Sequence, residues 1–78
     1  MSTRKTFSEW ELAALAKKFR LKAGKSKAQV AREMGVTRAT MQQAEENATI
    51  SLSKLRRRII EATSPYQVVG PGYWLERK

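Results

Sequence analysis

The sequence predicts a mainly α-helical fold: four helices in one small domain, then a short β-hairpin or extended tail at the C-terminus. Three observations predict it. Apolar residues recur at three- and four-residue steps in four successive segments. Each segment is preceded by a hydroxyl residue suited to an N-cap: Ser8, Ser26, Thr37 and Ser51. Beyond Ser64-Pro65 the helical period stops and β-prone residues flank Gly70-Pro71-Gly72.

Residues 1–6 are polar and charged, and read as a flexible N-terminus. A first helix over about 9–23 opens on Ser8 and Glu11, which have capping-box spacing, with Phe7 and Leu12 placed as a hydrophobic staple. Leu12, Leu15, Ala16, Phe19 and Ala23 form its inner stripe, and Gly24 is suited to end it. Trp10, at the start of that stripe, reads as a core or interface residue. A second helix over about 27–34 starts at Ser26, with Gln29 in capping-box spacing, and turns Val30, Ala31 and Met34 inward. Gly35 ends it with positive φ, Val36 plugs the turn, and Thr37 caps a third helix over about 38–46. Asn47 is expected in the left-handed conformation that closes this helix. Ser51 caps a fourth helix over about 52–62, with Leu52, Leu55, Ile59 and Ala62 as its stripe. Residues 7–63 thus form the domain, with its central motif at 26–47, and residues 64–78 form the tail. A lone hairpin is marginal in water, so the tail must pack on the helices or pair with another chain.

A chain of 78 residues buries only about 60% of its unfolded surface, so a partner subunit would add useful stability. Sixteen Lys and Arg face seven acids, all Glu, for a formal net charge of +9. That balance favours phosphate-rich partners, nucleic acid before anionic membrane. The absence of Cys and His excludes disulfides, thiolate or imidazole metal sites and Ser-His or Cys-His nucleophiles. There is also no Asp, and Glu45 and Glu46 point more than about 90° apart on a helix, so no enzyme is expected. No cofactor, metal or small-molecule ligand is implied. No apolar run has signal or membrane-spanning length, and a cytoplasmic protein of a bacterial cell or phage-infected host is expected.

The third helix carries the functional argument. With Met41 at the centre of its inward face, Ala44 lies about 60° to one side, and Thr37 and Glu45 lie about 40° away on opposite sides. Ala39 and Gln43 fall within about 20° of the opposite pole, with Gln42 intermediate and Arg38 on the flank. Gln can pair bidentately with adenine N6/N7, Arg with guanine O6/N7, and Ala can touch a thymine methyl. A solvated face that happens to carry two glutamines is the plain alternative.

Residues 20–55 resemble the lambdoid phage repressor and Cro proteins, the Cro/repressor-type helix-turn-helix regulators. The matching residues are Arg20, Gly24-x-Ser26, then Val30-Ala31-x-x-Met34-Gly35-Val36-Thr37-Arg38-x-Thr40-Met41, Glu45 and Ser51-Leu52-x-x-Leu55. The resemblance implies a four-helix domain whose third helix enters the major groove. Carried over by position, Arg38, Ala39, Gln42 and Gln43 would read bases. Lys27 would touch phosphate, with Ser26, Lys25, Thr37, Thr40 and Thr49 as further backbone contacts. It also implies a buried pair between Glu45, which faces inward, and Arg20, at the edge of the first helix's stripe. The chain departs from the family pattern at Asn47, where Gly is usual, and in a shorter loop before the fourth helix that lacks the usual Pro. Glu46, on the DNA side, would accept from cytosine N4 or repel phosphate.

Two basic clusters remain, at residues 17–27 (Lys17, Lys18, Arg20, Lys22, Lys25 and Lys27, with no acid between) and at Arg56-Arg57-Arg58. Three consecutive helical residues fan over about 200°, so only one or two of the arginines can reach one duplex. The tail residues Tyr66, Val68, Val69, Tyr73, Trp74 and Leu75 read as a dimerisation element, since aromatic residues beside a small core bury against something. The resulting expectation is a homodimeric repressor on a pseudo-palindromic double-stranded DNA operator. Two other classes stay open: a protein-interaction module of antitoxin or anti-defence type, and sequence-tolerant binding of RNA or single strands.

Overall fold

A computed structural model describes residues 6–70 and 73–78. It contains four helices, α1 (Glu9–Lys22), α2 (Lys27–Met34), α3 (Arg38–Glu46) and α4 (Ser53–Thr63), followed by an antiparallel hairpin of β1 (Tyr66–Val69) and β2 (Trp74–Arg77). Most of the expected flexible N-terminus, residues 1–5, and Pro71-Gly72 of the expected turn lie outside the described residues.

Short-range chemistry sets the helix boundaries. Ser8 and Glu11 form a complete capping box: the Ser8 N–H donates to Glu11 Oε1 (3.0 Å), and the Glu11 N–H donates to Ser8 Oγ (3.3 Å). Ser26 Oγ accepts from the Gln29 N–H and Thr37 Oγ1 from the Thr40 N–H, each at 3.1 Å. Gly24 and Gly35 take φ of +71° and +73°, a region that costs a residue with a Cβ about 1 kcal/mol or more. The Val36 N–H then reaches Ala31 O (2.9 Å), and Val36 packs against the core as a plug.

The core is shared by all the helices and by β1: Leu12, Ala16, Val30, Ala31, Met41, Ala44, Leu55, Ile59, Ile60 and Val68. Leu15 and Phe19 flank it half-buried. Ala23 is exposed, because α1 ends at Lys22 and the chain turns away there. Trp10 is 68% exposed and lies outside the core, so of the two expected roles packing in the core does not hold. It projects about 140° from the direction shared by Leu12 and Ala16.

The face that α4 turns inward also differs. Leu55, Arg56, Ile59 and Ile60 are buried and Ala62 is exposed, a rotation of about 50° from the predicted stripe. The helix begins one residue late, so its cap position falls to Leu52, half-buried against the core, and Ser51 does not cap it.

The cause of the rotation is Arg56, which has no exposed surface. Its Nε donates to Ala44 O (2.8 Å), Nη2 to Asn47 O (2.7 Å) and Nη1 to Glu9 Oε1 (2.6 Å). The last turn of α3 contains no basic residue of its own, and its orphan carbonyls and negative dipole end take this cation from α4. Asn47 is therefore extended (φ −129°, ψ 90°), not left-handed as expected. Its Oδ1 accepts from the Thr49 N–H (3.1 Å), turning the chain toward α4.

The hairpin pairs within the chain, in the register Tyr66 with Arg77, Gln67 with Glu76, Val68 with Leu75 and Val69 with Trp74. Val68 is 2% exposed, with Leu75 and Tyr73 packed against the same core. Tyr66 packs on Phe19, ring centroids 5.9 Å apart, and the Phe7 N–H donates to Tyr73 O (2.7 Å). The tail is thus part of the chain's own fold. The outward edge of β1 is covered by α4, since the Val68 N–H donates to Glu61 Oε2 and Val68 O accepts from Arg57 Nη2, each at 3.1 Å.

Candidate nucleic-acid interface

The inward half of α3 holds the helix rigidly. Met41 and Ala44 are fully buried, and the carboxylate of Glu45 meets the guanidinium of Arg20 in a two-pronged pair. Arg20 Nε donates to Oε2 at 2.6 Å and Nη2 to Oε1 at 3.0 Å, while Nη1 donates to Lys25 O at 2.8 Å. Both side chains are shut away from water (6% and 0% exposed), so each charge depends on the other. The pair ties α1, the turn before α2 and α3 together. Arg56 does the same for the far end of α3.

Arg38, Ala39, Gln42 and Gln43 are all exposed, on the side of α3 away from this anchorage. Arg38 makes no hydrogen bond or ion pair among the described residues. Gln42 Oε1 accepts from the ammonium of Lys27, at the start of α2. Gln43 Oε1 accepts from Asn47 Nδ2 at 3.1 Å. Glu46 pairs with Lys17 on α1 at 3.0 Å, and the Lys17 hydrogen bond and charge hold its carboxyl below the ordinary carboxylate range.

The expected backbone-contacting residues serve local structure. Ser26 and Thr37 are N-caps, the Thr40 hydroxyl meets that of Thr37 at 2.9 Å, and Thr49 Oγ1 donates to Asn47 Oδ1. Lys25 is paired with Glu33 at 3.0 Å. Contrary to its sequence appearance, half of the 17–27 cluster is answered by acids folded against it: Lys17 by Glu46, Arg20 by Glu45 and Lys25 by Glu33. The three consecutive arginines all turn to backbone carbonyls, Arg56 to those of Ala44 and Asn47, Arg57 to Val68 and Arg58 to Met34. Their fan over three directions matches the expected geometry, but its targets are carbonyls of the chain itself, with the Arg58 contact at the surface.

Sequence reasoning missed one cationic feature beside α3. Thr40 and Val36 share an open cleft with Ser51, Leu52, Ser53, Lys54 and Arg58 at the N-terminus of α4. No side chain caps that helix end, so its first N–H groups are left without a side-chain acceptor, and Lys54 and Arg58 line the same cleft. The absence of an acid near Lys54, with Arg58 one turn on, was the available signal.

Of the residues expected to mediate dimerisation, Val68 is used up by its own core, while Tyr66, Val69, Tyr73, Trp74 and Leu75 are half-exposed. Val69 and Trp74 are cross-strand partners on the outward face, where Trp74 Nε1 donates to Glu76 Oε2 at 2.8 Å. The Lys78 N–H donates to Pro65 O, which makes Leu75 and Arg77 the β2 residues whose backbone groups point away from β1. Among the described residues no cluster of acids could hold a metal ion, and no helix is long and apolar enough to cross a membrane. Compared with known proteins, the chain matches no family, no curated protein and no solved structure.

Proposed function

We propose that this protein is a sequence-specific double-stranded DNA-binding regulator of Cro/repressor-like type, acting as a homodimeric repressor that reads a pseudo-palindromic operator with α3. One observation carries the reading. A nine-residue helix is pinned from behind by a buried Arg–Glu fork and a buried arginine, and presents Arg38, Ala39, Gln42 and Gln43 to solvent. A helix about 13 Å long with short polar side chains suits a major groove about 12 Å wide. Holding two charged networks in a small core costs desolvation, and rigid display of a surface is a purpose that repays it.

Affinity would come from the flanks of α3: Lys27 on one side, Lys54, Arg58 and the open N-terminus of α4 on the other. With about three phosphate contacts per protomer, a dimer neutralises about six, and log K falls with log salt at a slope of about −5. Dimerisation is ascribed to the open edge of β2 and the outward Val69–Trp74 face. Removal of the tail is a poor test of this, because Val68 and Leu75 belong to the protomer core. Arg77→Pro is better, since it deletes an N–H that points away from β1. The expected result is a folded protein that sediments as a monomer and binds a single half-site weakly.

Selection of duplexes from a random pool tests the reading as a whole. A recovered palindrome with half-sites about one helical turn apart supports it. Failure to bind any duplex would discard it in favour of a protein partner.

A further inference from the structure

Resting on the proposed DNA-reading role of α3, we infer that this helix selects guanine and not adenine, and that Lys27 and Asn47 set this choice by fixing which end of each glutamine amide faces outward. A free glutamine reads adenine with both ends of its amide, the NH2 to N7 and the carbonyl to the N6 amino group. Both glutamine carbonyls here are turned toward a donor of the protein, Lys27 for Gln42 and Asn47 for Gln43.

In each case the orientation is forced by a group that can only donate. The Lys27 ammonium has no acceptor capacity, so the Gln42 atom bonded to it is Oε1, and the Gln42 NH2 points away from Lys27. At the other site two groups act in series. The Thr49 backbone N–H can only donate, which assigns Oδ1 of Asn47 to that side. Nδ2 of Asn47 then faces Gln43 and must meet its carbonyl, Oε1, at 3.1 Å. The Gln43 NH2 is left outward. Arg38 adds a guanidinium, which is donor-only, and Ala39 adds a methyl.

The side chains of Arg38, Gln42 and Gln43 therefore turn hydrogen-bond donors outward, with both glutamine carbonyls directed at groups of the protein itself. Guanine shows two acceptors in the major groove, O6 and N7. Adenine shows one acceptor, N7, beside an amino donor that an NH2 cannot pair with, and cytosine shows only an amino donor. Thymine shows a single acceptor, O4, beside a methyl group that suits Ala39. An operator half-site rich in guanine on the strand facing α3, with thymine as the second choice, fits this face. Lys27 and Asn47 act as positioning residues: they alter base preference without touching a base.

The test is selection from a random duplex pool with the full chain, comparing the wild type with Lys27→Met and Asn47→Asp. In Asn47→Asp the carboxylate keeps the acceptor that holds the Thr49 N–H but can no longer donate to Gln43. It accepts from the Gln43 NH2 instead and turns the carbonyl outward. The wild type is expected to enrich guanine at the Gln42 and Gln43 positions. Asn47→Asp should move the Gln43 position toward bases with an amino donor, cytosine or adenine. Lys27→Met, which frees the Gln42 amide, should admit adenine at the Gln42 position. In the wild type, 7-deazaguanine at either position should weaken binding about 5- to 150-fold, the usual span for one good base contact. Adenine at both positions in the wild type, or variants with unchanged preference, overturns the inference while leaving duplex recognition intact. No enrichment of any duplex, by contrast, overturns the DNA-binding reading on which it rests.

Discussion

Arg56→Met should be among the most damaging single substitutions in this protein, although the side chain lies in an arginine run that looks like a solvated basic patch. Methionine keeps most of the aliphatic volume and removes only the guanidinium. Three hydrogen bonds of 2.6–2.8 Å are lost, two of them to the carbonyls of Ala44 and Asn47 at the end of α3. An orphaned buried acceptor costs about 1–3 kcal/mol, and Asn47 is near enough to the surface for water to replace part of its loss. The Glu9 side chain is one-third exposed (33%), so its charge rehydrates and its share is about 1 kcal/mol or less. Together these give about 3–5 kcal/mol, against about 4–12 kcal/mol of total stability for a domain of this size. Urea unfolding followed by circular dichroism measures the difference. Arg56→Lys, whose single ammonium reaches one carbonyl at best, should lose about half as much. Glu9→Gln should lose about 1 kcal/mol or less, because its partner keeps both carbonyls. A loss below about 1 kcal/mol for Arg56→Met would refute the view that this arginine closes the C-terminus of α3.

Other substitutions separate the remaining contributions. Arg20→Met strands the Glu45 carboxylate and should cost about 3–5 kcal/mol, and adding Glu45→Met should recover part of that loss, since an apolar pair suits the site better than one unpaired charge. A double variant worse than the single one would show that the pair is not isolated from water. Gly35→Ala should cost about 1 kcal/mol in thermal unfolding, through positive φ alone, because a Cβ there meets no atom within 4 Å. Gly35→Asn should cost less. Trp10→Ala should change stability by less than about 0.5 kcal/mol, and Trp10 fluorescence should be open to iodide quenching in a Trp74→Phe background. Glu46 titrates below the ordinary carboxylate range because Lys17 favours its charged form, so this contact stabilises the fold above that range and is lost as pH falls through it. Lys17→Met should return the Glu46 titration, followed by NMR, to the ordinary range; an unmoved titration would mean that Lys17 is not its partner.

The elements legible in the residues were those governed by neighbours three or four positions apart. The capping box of Ser8 and Glu11, the Ser26 and Thr37 caps and the positive φ of Gly24 and Gly35 depend on local hydrogen bonds and sterics alone. The inward side of α3 was legible for the same reason, because a single helical period places Met41, Ala44 and Glu45 together. Arg20 as the partner of Glu45 came only through family resemblance, since the two lie 25 residues apart and nothing local links them.

What tertiary structure alone decided is the destination of the charges and amides. Arg56 looks identical to Arg57 and Arg58 until α3 supplies two unanswered carbonyls and α1 supplies Glu9, at separations of 9, 12 and 47 residues. That demand rotates α4, buries Ile60 and exposes Ala62. Likewise the basic run at 17–27 loses half its free charge to acids brought in from α2 and α3. Gln42 could present either end of its amide, and only the folded position of Lys27, 15 residues away, chooses, whereas Gln43 is set by Asn47 four residues on. The sequence determined by itself which side of α3 faces outward, because helical phase is a local property. What the Gln42 end of that side offers to a partner depends on Lys27, a group that only the fold brings within hydrogen-bonding distance.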